Sequence, residues 1–316
     1  MTRFVVCGET LIDLIRSPDG PQDAANSTWS ALSAGGPMNS AVALGRLGVR
    51  THFLGRLSTD TFGQQLRSYI EAAGVDLDLA AESDQATSLA IVSLDQQGVA
   101  TYTFHFAETA NFGWQPEELP VLTAGDWLHI ASLSCVVSPG AEVLLQWMQT
   151  VRAGVSYDVN VRPTVISDPV LYWRKVEPWL QVIGGHGGIV RASDEDINFL
   201  PNGGSKNDPL AVAADWVRTY GLSLAVITLG SHGAVGIEAD GKQIRVPGVA
   251  TDVVDTVGAG DTFMASFLDS RINRELPLEE SLRRGVAAAS IVCSRRGANP
   301  PTAAEVDDLV SRARVG

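Results

Sequence analysis

The chain has 316 residues, 45% of them hydrophobic, which is enough to bury a large core in one α/β domain. Its 23 Lys and Arg residues against 36 Asp and Glu residues give a formal net charge of −13, which disfavours nucleic acid and anionic membranes as partners. A small phosphorylated ligand is compatible with this charge, because backbone N–H groups and a few local cations bind phosphate in a cleft.

Short β-rich apolar runs alternate with longer segments of helical period, which predicts a mostly parallel sheet flanked by helices. The predicted strands are Phe4–Cys7, His52–Leu54, Trp127–Ile130, Val155–Tyr157, Ile189–Arg191, Leu224–Thr228 and Ala234–Ile237. The predicted helices are Met38–Leu47, Phe62–Ala73, Ala141–Val151, Pro169–Leu180, Pro209–Tyr220, Ala259–Leu268, Leu278–Ser294 and Ala303–Ala313. We therefore expect a single α/β domain over residues 1–316.

One group of β-rich runs does not fit this alternation. Ser88–Asp95 and Val99–Phe106, joined by Gln96-Gln97-Gly98, predict a hairpin, and Leu11–Ile15 and Thr28–Leu32 supply two further candidate strands. We expect these runs, approximately 11–16, 28–33 and 87–107, to form a small β-sheet lid. The lid would cover the carboxyl ends of the main strands, where open α/β folds bind ligands.

Aromatic side chains alternate along the predicted hairpin, with Tyr102, Phe104 and Phe106 on one face. This face would either cover a substrate and exclude water or pack against a second subunit as a homodimer. Both interpretations are open at this point.

The cysteines and the N-terminal segment indicate a cytoplasmic protein. The three cysteines lie far apart within apolar runs, which is typical of buried thiols in a reducing compartment. The first residues lack the apolar region and cleavage site of a signal peptide, and no apolar run reaches about 18 residues.

Glycines precede the predicted helix 259–268 in the segment Val257-Gly258-Ala259-Gly260-Asp261. Unpaired N–H groups in the first turn of a helix favour an anion such as phosphate, and small residues let the backbone approach it. Asp261 would then lie beside that anion, where it could accept a proton from an attacking hydroxyl. The alternative is a helix-capping Asp after a glycine turn.

The segment Asp255–Phe263, Asp-Thr-Val-Gly-Ala-Gly-Asp-Thr-Phe, resembles the C-terminal signature of the ribokinase-like, or PfkB, family of carbohydrate kinases. Segments along the rest of the chain resemble other motifs of the family, in particular its fructokinase-like members, in the same order. These segments are Gly8–Asp13, Gly35–Gly48, Phe53–Leu66, Asp158–Pro163 and Thr228–Ala234. The resemblance implies a three-layer α/β fold with a β-sheet lid.

The resemblance also implies roles for residues at both ends of the site. Asp261 would be the catalytic base, and Gly258, Ala259 and Gly260 would form the anion hole. The implied substrate contacts are Asp13, Gly35, Gly36, Asn39 and Arg162, to which the alternation of the lid hairpin adds Phe104. From the residues alone, Asp13 could equally be solvated, Asn39 could cap a helix, and Arg162 could form an ion pair with Asp158.

On the nucleotide side, the resemblance implies contacts to ATP from Ser193, Thr228, Gly230, Gly233, Gly260 and Asn299. Glu195 and Asp196 are the implied Mg²⁺ ligands, and Asp255 is the implied ligand of a monovalent cation such as K⁺. The family usually has Asn-x-x-Glu at this metal-associated motif, and here Ser193 and Asp196 replace the Asn and the Glu.

The expected activity is ATP-dependent phosphorylation of a primary hydroxyl of a small sugar, with a ketose as the first candidate. The alternatives are a 2-keto-3-deoxygluconate kinase, a nucleoside kinase of the same fold, and a sugar-sensing regulatory protein without activity. A Rossmann dehydrogenase is disfavoured, because the first strand leads into Gly-Glu-Thr-Leu-Ile-Asp rather than Gly-x-Gly-x-x-Gly.

Overall fold

The computed structural model describes residues 2–17, 25–94, 100–201 and 208–313. The predicted turn Gln96-Gln97-Gly98 and most of the loop Pro201–Asp208 lie outside these ranges. The strands are, in chain order, Arg3–Cys7 (β1), Leu11–Arg16 (β2), Trp29–Ala34 (β3), Thr51–Leu54 (β4), Arg56–Ser58 (β5), Ala81–Ser83 (β6), Leu89–Leu94 (β7), Ala100–His105 (β8), Asp126–Ala131 (β9), Gly154–Asp158 (β10), Ile189–Ser193 (β11), Leu224–Thr228 (β12), Ala234–Glu238 (β13) and Gln243–Val246 (β14).

The α-helices of the described residues follow the same pattern of alternation. They are Gly36–Arg46 (α1), Thr61–Ala72 (α2), Gly140–Met148 (α3), Pro169–Gly185 (α4), Asp194–Phe199 (α5), Pro209–Tyr220 (α6), Ala259–Leu268 (α7), Leu278–Cys293 (α8) and Ala303–Ala313 (α9). Single turns of 3₁₀-helix occur at Ala110–Phe112, Pro116–Glu118, Ser132–Cys135 and Gly230–His232, and a π-helical turn occurs at Asp269–Asn273. None of the helices in the described ranges is long and apolar enough to cross a membrane.

The main sheet has the order β14-β13-β12-β11-β10-β9-β1-β4, in which β4, β1 and β9 to β12 are parallel and the other two are antiparallel. Alternate side chains of each strand enter two separate cores. In β1, Val5 packs in the core that includes Leu144 of α3 and Val176 of α4. Phe4 packs in the opposite core with Met38 of α1. Helices therefore cover both faces, and the predicted three-layer fold is confirmed.

The second sheet is the lid, with the order β3-β2-β7-β8. Its β2 strand pairs antiparallel with β3 and parallel with β7, and β7 pairs antiparallel with β8. Phe104 packs against a small cluster of buried lid residues, which includes Leu11 and Ala34. On β3, at the edge of this sheet, Trp29 is 39% exposed and Leu32 is 45% exposed.

The structure has every predicted strand and helix of the alternating pattern, with some ends displaced. The helix expected at Pro169–Leu180 continues to Gly185, and the one expected at Ala141–Val151 ends at Met148. Strand β14, the β5–β6 pair and helix α5 were not predicted. All four have between three and six residues, which is too short for an apolar pattern to identify them in the sequence.

Candidate active site

A cleft of about 620 Å³ lies at the carboxyl ends of the main strands, between the start of α7 and the lid. Most of the predicted site residues line it, although they come from distant parts of the chain. They are Asp13, Gly35, Gly36, Asn39, Phe104, Arg162, Ser193, Glu195, Asp196, Gly258, Ala259, Gly260 and Asp261. Thr228, Gly230, Gly233, Asn299 and Asp255 were also predicted but are not among the lining residues.

The anion turn, residues 258–261, forms the first turn of α7. Gly258 is the N-cap in a left-handed conformation, with φ 77°, and no side chain caps the helix. Glycine adopts this conformation without steric cost, and the helix dipole adds positive potential at this end. Ala259 N donates to Thr256 O at 3.2 Å, so the amides of Gly258 and Gly260 are the ones left to form an anion site at the cleft.

Asp261 is buried in this first turn with one oxygen held in place. Asn39 donates a hydrogen bond from Nδ2 to Asp261 Oδ2 at 2.9 Å. Burial raises the pKa of the Asp261 carboxyl to about 7, against the lowering effect of the Asn39 hydrogen bond. A carboxylate that titrates near neutral pH, with Oδ1 open to the cleft, has the properties of a general base.

Arg191 lines the cleft and was not predicted from the sequence. It projects from β11 and donates from Nη1 to both oxygens of Asp158, at 3.0 and 3.1 Å, and from Nη2 to Thr228 Oγ1 at 2.6 Å. A Cβ on Gly260 would lie 2.9 Å from both Nη atoms, so the guanidinium lies against the anion turn. Asp158 therefore forms its ion pair with Arg191 and not with Arg162, the partner considered from the sequence.

The only sequence signal for Arg191 was its charge within the apolar strand Ile189–Ser193. A charged side chain in a strand buried on both faces is rarely there without a partner. That partner, Asp158, lies on the adjacent strand β10, as the register of β10 and β11 shows. Thr228 does not line the cleft, and its hydroxyl accepts a hydrogen bond from Arg191.

Asp13 and Arg162 bring opposite charges to the lid end of the cleft. Burial raises the pKa of Asp13 on β2 to about 6, while the positive charge of Arg162 lowers it. Arg162 is held by its backbone, since its amide donates to Tyr172 Oη at 3.0 Å. Asn39, Gly36 and Phe104 complete this end as hydrogen-bonding and apolar surfaces.

The acidic residues that follow β11 have different surroundings. Ser193 caps α5, and the two oxygens of Asp196 accept hydrogen bonds from Val161 N and Ser193 N, both at 2.7 Å. Glu195 is exposed on the cleft. The chemistry of this oxygen donor set fits a hard divalent cation, with Glu195 as the freer carboxylate.

Asp255 joins the two loops that flank the anion turn. Its oxygens accept hydrogen bonds from Val257 N at 3.0 Å and from Gly297 N at 2.9 Å. Gly230 and Gly233 flank the turn after β12 with φ of 54° and 91°. A side chain on Gly233 would collide with the Val246 carbonyl, so close packing is sufficient to explain why this position is a glycine.

Comparison with known proteins agrees with this geometry. The model of the pfkB family of carbohydrate kinases matches residues 1–305. A fructokinase of Rhizobium leguminosarum bv. trifolii is 34% identical over 305 residues, covering 94% of this chain and 87% of that protein.

Solved structures show the same fold. Fructokinase of Xylella fastidiosa with bound ATP superposes with a TM-score of 0.85 at 24% identity, covering 99% of this chain and 100% of that one. Fructokinase of Vibrio cholerae O395 with fructose, ADP and calcium ion has a TM-score of 0.81 at 26% identity, covering 98% and 99%.

Proposed function

The chain belongs to the pfkB family of carbohydrate kinases, and from this premise we propose that it transfers the γ-phosphoryl group of ATP to a primary hydroxyl of a ketose, with fructose as the first candidate. The observation that carries the proposal is the placement of Asp261. Its ionisable carboxylate opens on the cleft beside the uncapped amides of α7. The fructokinase relatives, one of them solved with fructose and ADP, favour a ketose over a nucleoside.

In this mechanism Asp261 Oδ1 accepts the proton of the attacking hydroxyl while Asn39 holds Oδ2. The amides of Gly258 and Gly260 stabilise negative charge on the phosphoryl group in transfer, while the amide of Ala259 donates to Thr256 O. Arg191, fixed by Asp158 beneath Gly260, adds positive charge to the same turn. Asp13 accepts hydrogen bonds from sugar hydroxyls, and Phe104 and the lid exclude water from the cleft.

A sugar kinase of this kind uses ATP together with a divalent metal ion, and we propose Mg²⁺. Glu195 would hold the ion, directly or through water, and Asp196 would order the loop through its two amide contacts. When bound, the ion neutralises charge on the phosphates. Asp255, which bridges the loops around residues 257 and 297, is the proposed organiser of a K⁺ site.

We further propose that the chain forms a homodimer through the lid. Leu32 is the cross-strand partner of Asp13, and it leaves apolar surface exposed beside the cleft. A second lid would cover this surface. Sedimentation velocity should show a dimer for the wild type and a monomer for Leu32→Glu; a monomeric wild type contradicts the proposal.

The domain organisation and the location of the protein are two further predictions. One ribokinase-like domain over residues 1–316, with the lid as its appendage, is proposed from the shared sheet and the two cores on its faces. A cytoplasmic location is supported by the free thiols of Cys7, Cys135 and Cys293. Limited proteolysis and cell fractionation test these proposals.

A coupled assay of ADP release over a panel of acceptors tests the activity. The panel contains fructose, ribose, 2-keto-3-deoxygluconate and a nucleoside, and fructose should give the highest kcat/KM. Asp261→Asn should bind fructose and ATP but lose about 10²–10⁴ in kcat, the usual contribution of acid–base catalysis. Absence of ADP release above the acceptor-free rate for every acceptor would overturn the kinase, whereas a preference for the sugar acid overturns only the ketose.

A further inference from the structure

Helix α2 binds a segment at each end of the cleft, although its own residues do not line the cleft. Gln65 donates a hydrogen bond from Nε2 to Ala31 O of lid strand β3 at 3.1 Å. Tyr69 donates from Oη to Ala298 O at 3.2 Å, in the loop that follows α8. Gln65 and Tyr69 are about one helical turn apart and so lie on the same face of α2. Neither residue is among those that bind sugar or ATP in the proposed reaction.

Ala298 packs directly against the anion turn. A Cβ on Gly258 would lie 2.8 Å from the Cβ of Ala298 and 3.2 Å from its Cα, so only glycine allows the loop to come this close. Asp255 binds the same loop, because its carboxylate accepts a hydrogen bond from Gly297 N at 2.9 Å. Gly258 is the N-cap of α7, and its amide is one of the two that are left for a phosphate. The position of Ala298 therefore helps to set the position of this amide.

The Tyr69 hydroxyl is well placed to hold Ala298. Its ring is partly buried and packs against the core that contains Met38, which limits the orientations of the side chain. Burial raises the pKa of the hydroxyl, which is therefore protonated and donates its hydrogen at neutral pH. Arg295 Nη1 donates to the carbonyl of the next residue, Asn299, at 3.3 Å. Tyr69 connects this restrained loop to α2.

The lid end of α2 is bound at more than one point. Gln65 Nε2 also lies 3.4 Å from Ser33 Oγ of β3. Asp60, the N-cap of α2, accepts hydrogen bonds from Thr87 N at 2.8 Å and from Thr87 Oγ1 at 2.6 Å, shortly before lid strand β7. Packed helices shift as rigid elements, so a lid that moves when sugar binds displaces α2 and with it Tyr69.

We infer that Tyr69 is a positioning residue for phosphoryl transfer, which holds Ala298 against the anion turn and, through α2 and Gln65, links that turn to the lid. The inference rests on the proposed function and adds to it a connection between the sugar end and the phosphate end of the cleft. Tyr69 does not line the cleft, so its effect on the reaction passes through the Gly258 amide. A misplacement of about 1 Å in a group that orients the reacting atoms is enough to slow the reaction.

Tyr69→Phe tests the positioning role, because it keeps the ring and removes only the hydroxyl. Its kcat with fructose should fall about threefold to tenfold, the weight of one hydrogen bond, with an unchanged KM for fructose. Tyr220→Phe is the matched control, since it removes a hydroxyl that donates to Glu177 Oε1 at 3.1 Å away from the cleft. Both variants should lose similar stability in urea, but Tyr220→Phe should keep the wild-type kcat. A wild-type kcat for Tyr69→Phe overturns the inference.

Binding of ADP measures the link to the lid. Calorimetry should show that saturating fructose tightens ADP binding to the wild type, and that Gln65→Ala and Tyr69→Phe each reduce this effect. Because both contacts lie on one path, the double variant should reduce it no further than the stronger single variant. Gln64→Ala, which removes a hydrogen bond to Thr59 O on the same helix, should leave the effect unchanged. Equal ADP affinity with and without fructose in the wild type, or additive losses in the double variant, contradict the link.

Amide hydrogen exchange separates this inference from the proposed function, because it requires no turnover. A peptide that contains residues 256–261 should exchange faster in Tyr69→Phe than in the wild type and in Tyr220→Phe. Equal exchange in all three proteins means that Tyr69 does not position the turn. A wild type that phosphorylates no acceptor contradicts the kinase, whereas faster exchange in Tyr69→Phe supports the Tyr69 contact whatever the activity.

Discussion

The carboxyl group of Asp261 is buried, and burial disfavours its charged form. Its pKa is raised to about 7 in the folded protein, above the ordinary value of 3.8. The folded state therefore binds this proton more tightly than the unfolded state does. The contribution of this group to stability is complete at low pH and is lost as the pH rises from about 4 to about 7, so the active form of the base is the less stable one.

We expect kcat/KM for the sugar to rise with pH, because both Asp261 and Asp13 act as carboxylates. A plot of its logarithm should have a slope of one between about pH 6 and pH 7, where Asp261 titrates. The slope should approach two below about pH 6, where Asp13 also takes up a proton. Steady-state rates over this range measure both slopes.

Two variants give the controls. Asp13→Asn should lose the second ionisation, and exposed Asp208→Asn, which keeps a capping side chain at α6, should leave the profile unchanged. Asp261→Asn should melt at a higher temperature than the wild type at pH 8. A rate that does not vary between pH 5 and pH 8 contradicts the role of both acids.

The ion pair of Arg191 and Asp158 predicts a separation of stability from activity. Arg191→Met should lower the free energy of unfolding by about 3–5 kcal/mol, because it leaves Asp158 buried without its partner. Adding Asp158→Asn removes that charge and should restore most of the stability but not kcat. Urea denaturation and turnover measure the two effects, and recovery of both would mean that Arg191 is only structural.

At the level of single residues, the sequence predicts the groups that belong to compact motifs. The anion turn and Asp261 stand together in one segment, so their proximity required no knowledge of the fold. Arg191 and Asp158 are separated by 33 positions, and only the pairing of β10 with β11 brings them together.

At the level of elements, the lid joins the rest of the protein through a buried polar network. Asn111 accepts a hydrogen bond from Thr10 N at 3.2 Å, and donates to Thr10 O at 2.6 Å and to Ser88 Oγ at 2.8 Å. Ser88 in turn contacts Thr109 Oγ1 at 2.6 Å. Thr10 precedes β2, Ser88 precedes β7 and Thr109 follows β8. The Asn111 network therefore links the three segments that connect the lid to the rest of the protein.

We expect Asn111→Ala to weaken the attachment of the lid and to leave the phosphoryl-transfer end of the cleft unchanged. The KM for the sugar should rise about tenfold, because the three buried hydrogen bonds of the Asn111 side chain are lost. ATP hydrolysis without sugar should increase relative to phosphoryl transfer, since a loose lid admits water. Asn273→Ala, which removes the same type of side chain and its hydrogen bond to Asp269 away from the lid, is the control and should leave the KM and the hydrolysis ratio unchanged.

Elements were predictable where their apolar pattern is long. The parallel strands are continuous apolar runs because both faces are buried, and the long helices show one apolar side. Strand β14 lacks this signal, since Gln243 and Arg245 alternate with Ile244 and Val246 at the sheet edge. Helix α5 has only six residues, and its capping box of Ser193 and Asp196 was interpreted as a metal-associated motif.

For the whole molecule, the formal charge of −13 should repel ATP on approach. Raising the ionic strength from about 0.01 M to 0.15 M shortens the screening length from about 30 Å to about 8 Å. We therefore expect kcat/KM for ATP to rise over this range, while kcat/KM for a neutral sugar stays constant as the internal control. A fall in the ATP value would mean that the local cations of the cleft, Arg162 and Arg191, dominate the approach.

The chain has seven tryptophans, and Trp29 on the edge strand of the lid is the one that is exposed. Its indole donates a hydrogen bond to Ser27, and the others are wholly or partly buried in the main body of the protein. The lid therefore carries its own fluorophore. Titration with sugar should shift the emission of the wild type but not of Trp29→Phe, so that movement of the lid can be followed in stopped flow without an added label.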